Sequence, residues 1–180
     1  MAESDLTRLA RDVDARCRLR GTFTLRSGQI SDEYFDKYLF ESDPGLLRRL
    51  TGQMTAKVPA GTCLLGGLEL GGVPLATMLS QATGIPALFV RKQAKGYGTR
   101  RLAEGGDPAG RTVLLVEDVI TTGGAVVSAA NALRDLGATV TTVLCAIDRS
   151  QPGASTLAAA GIAVRSVLTK NMLDSLAQGT

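Results

Sequence analysis

From residue 62 onward, short apolar runs alternate with segments that have helical periodicity. The five runs are TCLLGG, ALFVRK, TVLLVED, TVTTVLCAID and AVRSVLT. Gly84 and Gly137 stand where two of the intervening helices should end. Because the runs are apolar on both faces and helices separate them, the pattern predicts an α/β domain. We expect a five-stranded, mostly parallel sheet flanked by helices.

The residues before this alternation have a different pattern. A helical periodicity follows Ser4 and Asp5, either of which suits an N-cap, and we expect Gly21 to end this helix. FTLRSGQISDEYFDKYLF then predicts a short hairpin or an irregular β segment. No linker, low-complexity tract or internal repeat interrupts the chain. We therefore expect one domain over 1–180, with an N-terminal addition over 1–45.

The chain contains no histidine, which limits its chemistry. Ser-His-Asp and Cys-His triads and histidine-ligated metals are excluded. Any catalysis must use carboxylates, lysine, arginine, hydroxyls and backbone amides. This set suits reactions of phosphorylated substrates, in which positioning and charge neutralisation dominate.

Cysteine usage and hydropathy indicate the compartment. Cys17, Cys63 and Cys145 are widely spaced and form no CxxC pair, so we interpret them as reduced thiols rather than zinc ligands. The N-terminus is polar and lacks the apolar core of a secretory signal. No apolar run reaches the roughly 18 residues of a membrane span. We expect a cytoplasmic protein with no membrane partner.

Positive charge is concentrated in one segment. RKQAKGYGTRR, residues 91–101, holds five basic residues and no acid, whereas the whole chain carries only +3, so the remainder sums to −2. This distribution predicts one anion-seeking loop rather than a nucleic-acid surface.

Unusual polar residues follow four of the predicted strands, at their carboxyl ends. They are the loop GGLELGG over 66–72, Arg91 with Lys92, Glu117 with Asp118, and Asp148 with Arg149. Ligands of open parallel sheets bind beyond the carboxyl ends of the strands. These residues therefore predict one binding site at that edge of the sheet.

VLLVEDVITTGG, residues 113–124, contains two kinds of binding group. A glycine-rich turn into a helix brings backbone amides and partial positive charge to a phosphate, and Thr121 and Thr122 add hydroxyl donors. The two acids before this turn suit the hydroxyls of a sugar or waters on Mg²⁺ instead. Phosphate beside hydroxyls indicates a phosphorylated ribose.

VLLVEDVITTGGA resembles the phosphoribosyl-diphosphate (PRPP) signature of type I phosphoribosyltransferases. Within that family the chain resembles the orotate-specific members. FTLRSGQISDEYFD is similar to their substrate-binding segment, RKQAKGYGTRRLAEG to their mobile catalytic loop, and AIDR to the strand end that contacts the orotate carboxylate. These motifs occur in the family's order over roughly residues 23–173. The resemblance implies the family's fold, with residues 1–45 as a hood.

The resemblance also implies an activity and its residues. The reaction is transfer of phosphoribose from PRPP to orotate, giving orotidine 5′-monophosphate and diphosphate, in pyrimidine biosynthesis. The implied PRPP contacts are Glu117, Asp118, Thr121, Thr122, Gly123, Gly124, Ala125, Gly71, Gly72, Arg91, Lys92, Lys95 and Tyr97. The implied orotate contacts are Arg26, Tyr34, Phe35, Thr121 and Arg149. The implied catalytic residues are Lys95, Arg91, Lys92 and Asp118.

Cofactor and assembly follow from the same resemblance. It implies Mg²⁺ held mainly by PRPP and water, with no direct protein ligand, and a homodimer whose mobile loop, 90–106, reaches the neighbouring site. Three features depart from the family pattern: Tyr97 replaces a common histidine, Gly96 replaces an acid, and the loop 66–72 lacks a lysine common in bacterial members. We expect Arg26 and the loop cations to compensate the diphosphate charge.

Each motif also has a purely structural interpretation. VLLVED alone could end a strand of a receiver-like fold, and residues 91–101 could be a solvated loop. Arg149 could form a surface salt bridge, Tyr34 and Phe35 could be core residues, and the glycines of 66–72 could only shape a turn.

Two other functions fit parts of the sequence. A phosphoribosyltransferase could act on another orotate-like base. A non-catalytic PRPP-sensing regulator could instead bind nucleic acid, but only about 20 residues precede the substrate segment, too few for a winged helix. The negative remainder of the chain also disfavours RNA binding.

Overall fold

The computed structural model describes residues 4–24, 28–93, 102–150 and 156–177. Its elements in chain order are α1 (Asp5–Cys17), β1 (Arg18–Thr24), β2 (Ile30–Phe35), α2 (Tyr38–Glu41), α3 (Pro44–Thr55), β3 (Leu64–Leu68), α4 (Gly72–Thr83), β4 (Ala87–Val90), β5 (Ala103–Glu104), β6 (Val113–Ile120), α5 (Gly124–Asp135), β7 (Thr142–Asp148), α6 (Thr156–Ala159), β8 (Ala163–Thr169) and α7 (Lys170–Ala177). Within the described ranges, no helix is long and apolar enough to span a membrane.

The central sheet has six strands in the order β5-β4-β3-β6-β7-β8. The five predicted strands are confirmed, and all of their pairings with one another are parallel. The additional strand, β5, pairs antiparallel with β4. The prediction missed it because two residues carry no detectable periodicity. β4 and β5 also hold both ends of the expected mobile segment 90–106, of which 94–101 lie outside the described residues.

Side chains of the sheet alternate between two apolar layers, as expected for a sheet covered on both faces. In β6, Leu114 and Val116 pack in the layer that contains residues of α1, α3, α4 and α7. Val113 and Leu115 pack in the opposite layer, with residues of α5 and α6. This arrangement explains why the strand is apolar at consecutive positions.

The predicted helix ends are correct except for the first helix. Ser4 caps α1 by accepting a hydrogen bond from Thr7 N at 3.1 Å, and Gly84 and Gly137 adopt the left-handed conformation, with φ of 73° and 85°. However, α1 ends at Cys17 rather than at Gly21. The chain continues directly into β1, which pairs antiparallel with β2, and this pairing draws the residues before Gly21 out of the helix.

The hairpin predicted for the N-terminal addition is β1 and β2, but its last residues form the short helix α2 instead of β structure. Arg18 fixes the hairpin to the rest of the domain. Its guanidinium lies 2.9 Å from Asp14, 2.9 Å from Glu33 and 3.0 Å from Asp174, which belong to α1, β2 and α7. The name hood stands for residues 1–45, of which the structure describes 4–24 and 28–45.

Burial distinguishes the three thiols and gives a first prediction. Burial raises the pKa of Cys17 to about 12 and raises that of Cys145 well above its ordinary value, whereas Cys63 is exposed. Since the thiolate is the reactive form, we expect iodoacetamide to modify the native protein once, at Cys63, and the unfolded protein three times. Peptide mass spectrometry checks this, and rapid native modification of Cys17 or Cys145 would contradict the described packing.

Candidate active site

The carboxyl ends of β3, β4, β6 and β7 lie side by side at one edge of the sheet, because these strands are parallel neighbours. The groups predicted to bind ligand follow or end these strands. The loop after β3 reaches Gly71, and its peptide bond between Glu69 and Leu70 is cis. Arg91 follows β4, the turn from residue 121 follows β6, and Arg149 follows β7. The sequence therefore placed these groups at the correct edge.

Glu117 and Asp118 lie within β6 rather than after it, because the strand continues to Ile120. Consecutive side chains of a strand point to opposite faces. Glu117 is partly exposed, whereas Asp118 is fully buried, with 0% of its surface exposed. The two acids are therefore in different environments, one partly open to solvent and one enclosed.

Asp118 is held by contacts on both carboxylate oxygens. The backbone N–H of Val119 donates to Oδ1 at 2.5 Å. The ammonium of Lys37, from the connection between β2 and α2, lies 2.5 Å from Oδ2. A side chain at Gly71 would collide with this carboxylate, since a Cβ there would lie 1.5 Å from Oδ2. Gly71 therefore provides the space in which Asp118 sits.

The electrostatics of this cluster favour one negative charge on Asp118. Burial alone would raise the pKa of Asp118, but its contacts with Glu117, Lys37 and Glu41 outweigh burial and lower it. Burial raises the pKa of Glu117 and of Glu41, and the neighbouring Asp118 raises both further. Close carboxyl groups in a shared site cannot all ionise easily. Lys37 is the cation that compensates the charge that remains.

The turn after β6 has the features of a phosphate site. Gly123 is the N-cap of α5 with a left-handed φ of 77°, and a Cβ there would lie 2.7 Å from Leu157 Cγ. The first intrahelical bond runs from Val127 N to Gly123 O at 3.0 Å, and no side chain caps the helix. The amides of its first turn are therefore available to an anion, beside the exposed Thr121 and Thr122.

The cations after β4 lie across an open cleft from α5. Arg91, Lys92 and Glu69 line this cleft, of about 270 Å³, with Ala125 and other residues of α5. Glu69 accepts a hydrogen bond from Lys92 N at 3.1 Å. Nε of Arg91 is buried and has no hydrogen-bond partner among the residues that the structure describes. Two positive side chains therefore share a cleft with the side of α5 that runs from Ala125 to Ala132.

Arg149 lies over the Phe35 ring, with 4.9 Å between its guanidinium carbon and the ring centroid. Burial, and then the nearby Arg18, lower the pKa of Arg149, but a guanidinium stays charged at neutral pH. Among the described residues, no carboxylate lies within 4.0 Å of this guanidinium. The surface salt bridge considered for Arg149 is thus not formed there, and the charge is available to an anionic ligand.

Tyr34 does not join Phe35 and Arg149. The two aromatic residues are consecutive in β2 and point to opposite faces. Tyr34 is 43% exposed and its ring packs on Phe23, with 5.6 Å between centroids. Phe35 instead packs against the core as well as under Arg149. Of the two aromatic residues expected at the base, the structure therefore places Phe35 beside Arg149 and Tyr34 beside Phe23.

Some predicted residues are not described, and some described ones were not predicted. Arg26, Lys95 and Tyr97 lie outside the described residues.

Lys37 and Glu41 were missed, because neither has a motif and both reach Asp118 only through the fold. The Arg18 cluster was missed as well, although the spacing of Asp14 and Arg18 on one helical face could have indicated one of its three pairs.

Comparison with known proteins agrees with this geometry. A profile described as phosphoribosyl transferase domain matches residues 46–158. An orotate phosphoribosyltransferase of a Nocardioides species is 65% identical over 93% of this chain and 93% of its own length. Among solved structures, the Mycobacterium tuberculosis orotate phosphoribosyltransferase in complex with PRPP has a TM-score of 0.78 and 32% identity, covering 95% of this chain and 99% of that one. The Aeropyrum pernix orotate phosphoribosyltransferase has a TM-score of 0.81 and 33% identity, covering 96% and 99%.

Proposed function

This chain belongs to the phosphoribosyltransferase family, and on that premise we propose that it is an orotate phosphoribosyltransferase of pyrimidine biosynthesis. In the reaction, the bond from ribose C1 to the diphosphate of PRPP breaks and a bond from C1 to N1 of orotate forms. Orotate loses its N1 proton, and the products are orotidine 5′-monophosphate and diphosphate. The observation that carries the choice of orotate is Arg149, a half-buried cation with no ion pair among the described residues.

The turn after β6 binds the 5′-phosphate of PRPP in this proposal. Thr121 and Thr122 donate from their hydroxyls, and the amides around Gly123, Gly124 and Ala125 donate from the backbone. The positive end of the α5 dipole adds to this attraction. Glu117 and Asp118 lie one strand residue apart just before the turn, so we assign the ribose hydroxyls to them.

The diphosphate of PRPP then lies between the loop that ends at Gly71 and Gly72 and the cations Arg91 and Lys92. The unpartnered Nε of Arg91 supports this placement. Positive groups that face the departing diphosphate stabilise the charge that develops on it in the transition state. On the basis of the sequence motif, we assign the same role to Lys95. We assign Tyr97 of the same motif to PRPP binding.

Mg²⁺ fits this site as a companion of PRPP. Among the described residues, no group of three or more carboxylates or thiols is arranged to hold a metal ion. Mg²⁺ commonly keeps several waters and binds through substrate phosphates, so diphosphate oxygens and water would hold it, with Glu117 facing the waters. When bound, the ion neutralises charge on the diphosphate.

Orotate is placed between the ribose and the hood. The Arg149 guanidinium pairs with its carboxylate as a two-pronged donor, and Phe35 holds that guanidinium through its ring face. Thr121 directly follows β6, and we assign it a contact with both substrates. Contacts of Arg26 and Tyr34 with the base stay predictions.

The described site requires no covalent intermediate. An electron-poor ribosyl carbon forms as the diphosphate departs, and the nitrogen of orotate attacks it directly. The absence of histidine from the chain agrees with a reaction that needs no activated protein nucleophile. Catalysis then depends on holding both substrates in line and on stabilising the leaving group.

We also propose the assembly and the compartment. The enzyme is a cytoplasmic homodimer in which the mobile loop within 90–106 carries Lys95 into the neighbouring subunit's site. Size-exclusion chromatography with light scattering tests the dimer. Mixing a Lys95→Ala chain with an Arg149→Gln chain tests the shared site, because one intact site per mixed dimer should restore activity only if the loop crosses the interface.

A panel of bases tests the proposed function. Purified protein, PRPP and Mg²⁺ are mixed separately with orotate, uracil, adenine and hypoxanthine, and absorbance follows consumption of each base. We expect fast loss of orotate that requires both PRPP and Mg²⁺, and little loss of the uncarboxylated bases. Preference for another base, with orotate inert, would overturn the assignment of Arg149 and the proposed substrate.

A further inference from the structure

Lys37 is a residue of the hood that reaches Asp118 of the phosphoribosyl signature. It lies between β2 and α2, and its ammonium is 2.5 Å from Oδ2 of Asp118, which is 81 positions further along the chain. Its side chain is 33% exposed, whereas that of Asp118 is fully enclosed. The ion pair therefore joins the N-terminal hood to β6 at the base of the site.

Glu41 brings a second acid to the same place. A Cβ on Gly71 would lie 1.5 Å from Asp118 Oδ2 and 2.7 Å from Glu41 Oε1, so both oxygens occupy the space left by the missing side chain. Neither oxygen completes a well-angled hydrogen bond among the described residues, although Lys37 is close to one of them. Two carboxyl groups and one ammonium thus meet beside Gly71.

Burial makes the ammonium important for Asp118. A carboxylate removed from water is stable only with a compensating cation or strong donors, and removal of one partner from a buried ion pair is costly. Asp118 has one backbone donor, Val119 N, on its other oxygen. Without Lys37, Asp118 would take up a proton or turn away from Gly71, and in either case the negative charge beside Gly71 would be lost.

Lys37 also lies beside the glycine loop 66–72. The loop 66–72 has no lysine, so Arg26 and the cations of 91–101 are expected to compensate the charge of the diphosphate. Asp118 Oδ2 lies against Gly71, and the Lys37 ammonium lies against that oxygen. Because this ammonium is neutralised by Asp118, it leaves the diphosphate charge to other cations, and its role at the loop is to hold the Asp118 carboxylate beside Gly71.

We propose that Lys37 is a positioning residue for PRPP: it fixes the Asp118 carboxylate against Gly71 and so makes PRPP binding depend on the docked hood. The inference rests on the proposed function, since it assigns a role within the PRPP site. Glu41 assists by filling the remaining side of the Asp118 carboxylate. The hood then contributes to both substrates, through Phe35 and Arg149 for orotate and through Lys37 for PRPP.

The test is a double-mutant cycle read by calorimetric binding of PRPP with Mg²⁺, which needs no turnover. We expect Lys37→Met to weaken PRPP binding at least about tenfold, in line with the loss of a buried ion-pair partner. In an Asp118→Asn background the same substitution should change PRPP affinity less than about twofold, because Lys37 acts through Asp118. Lys37→Arg, which keeps the cation, should recover part of the affinity.

Lys57→Met is the matched control. Lys57 follows α3 and precedes β3, at the opposite edge of the sheet, so its loss should leave PRPP affinity unchanged. Thermal unfolding of every variant shows whether it is folded. If Lys37→Met does not fold, PRPP binding by Lys37→Arg tests the positioning role instead.

The possible outcomes separate the two proposals. Failure of the unmodified protein to bind PRPP would overturn the proposed function itself. Normal PRPP binding by the folded Lys37→Met variant, or an equal loss in both backgrounds, would overturn the positioning role and leave the proposed function intact.

Discussion

Replacement of Arg149 by glutamine should raise the KM for orotate at least about 100-fold, while PRPP affinity stays within about twofold. Loss of one partner from a desolvated, hydrogen-bonded charge pair typically costs about 2–5 kcal/mol, and about 1.4 kcal/mol corresponds to a factor of ten. The Arg149 guanidinium lies at the end of β7 over Phe35, and no described carboxylate pairs with it. Glutamine keeps a polar side chain but is shorter and uncharged, so the variant tests the charge and the two-pronged geometry together.

Arg165→Gln is the control for this prediction. Arg165 lies near the beginning of β8 and donates to the carbonyl of Lys57 at 2.8 Å, away from the carboxyl-end edge. Steady-state kinetics with each substrate varied in turn should show no change in either KM for this variant. An unchanged orotate KM in Arg149→Gln, or an equal loss for both substrates, would remove Arg149 from the orotate site.

Replacement of Gly71 by alanine should lower kcat/KM for PRPP at least about 100-fold without unfolding the protein. The new Cβ would lie 1.5 Å from Asp118 Oδ2 and 2.7 Å from Glu41 Oε1, so the carboxylate or the loop must move by more than an ångström. Displacement of that size at a reacting centre can cost about 100-fold. The loop itself can shift toward solvent, since the neighbouring Leu70 is 60% exposed.

Gly52→Ala provides the comparison for the same chemical change. Gly52 lies within α3, and a Cβ there would meet no atom within 4 Å. Alanine in a helix interior is favoured over glycine by roughly 0.5–1 kcal/mol, so this variant should be slightly more stable and fully active. PRPP kinetics for Gly71→Ala that match those of Gly52→Ala would show that the Asp118 position does not matter.

The central sheet was predictable because each parallel strand is apolar at consecutive positions. Val113 and Leu115 face one layer and Leu114 and Val116 the other, so neither face could be polar. The strand β5 gave no such signal. It forms because Ala103 and Glu104 can pair with the edge strand β4. That pairing depends on the folded sheet and not on the pattern of these two residues.

The N-terminal part was less predictable for a related reason. The helical pattern of α1 continues toward Gly21, but Arg18 pairs across the hairpin with Phe35 and its guanidinium meets three carboxylates. Contacts with residues distant in sequence decide where this helix ends. The same holds for α2, which follows a strand without any glycine or proline to mark the boundary.

The site could be predicted at the level of motifs but not of individual contacts. Strand ends, the turn at Gly123 and Arg149 all follow from local sequence. That Asp118 is enclosed while Glu117 is partly exposed depends on which face of β6 each one occupies. Lys37 has no motif at all, and its importance arises only because the hood folds over residues that are 81 positions away.

The most direct test of the whole account is a ³¹P NMR measurement of the products. Unmodified protein, PRPP, orotate and Mg²⁺ are combined, and the phosphorus signals are followed together with the orotate absorbance. The account predicts that each PRPP consumed yields one diphosphate and one new phosphomonoester, in the same amount as the orotate lost, with no PRPP loss when orotate is omitted. PRPP breakdown that leaves orotate unchanged, or stable PRPP in the complete mixture, would contradict phosphoribosyl transfer to orotate.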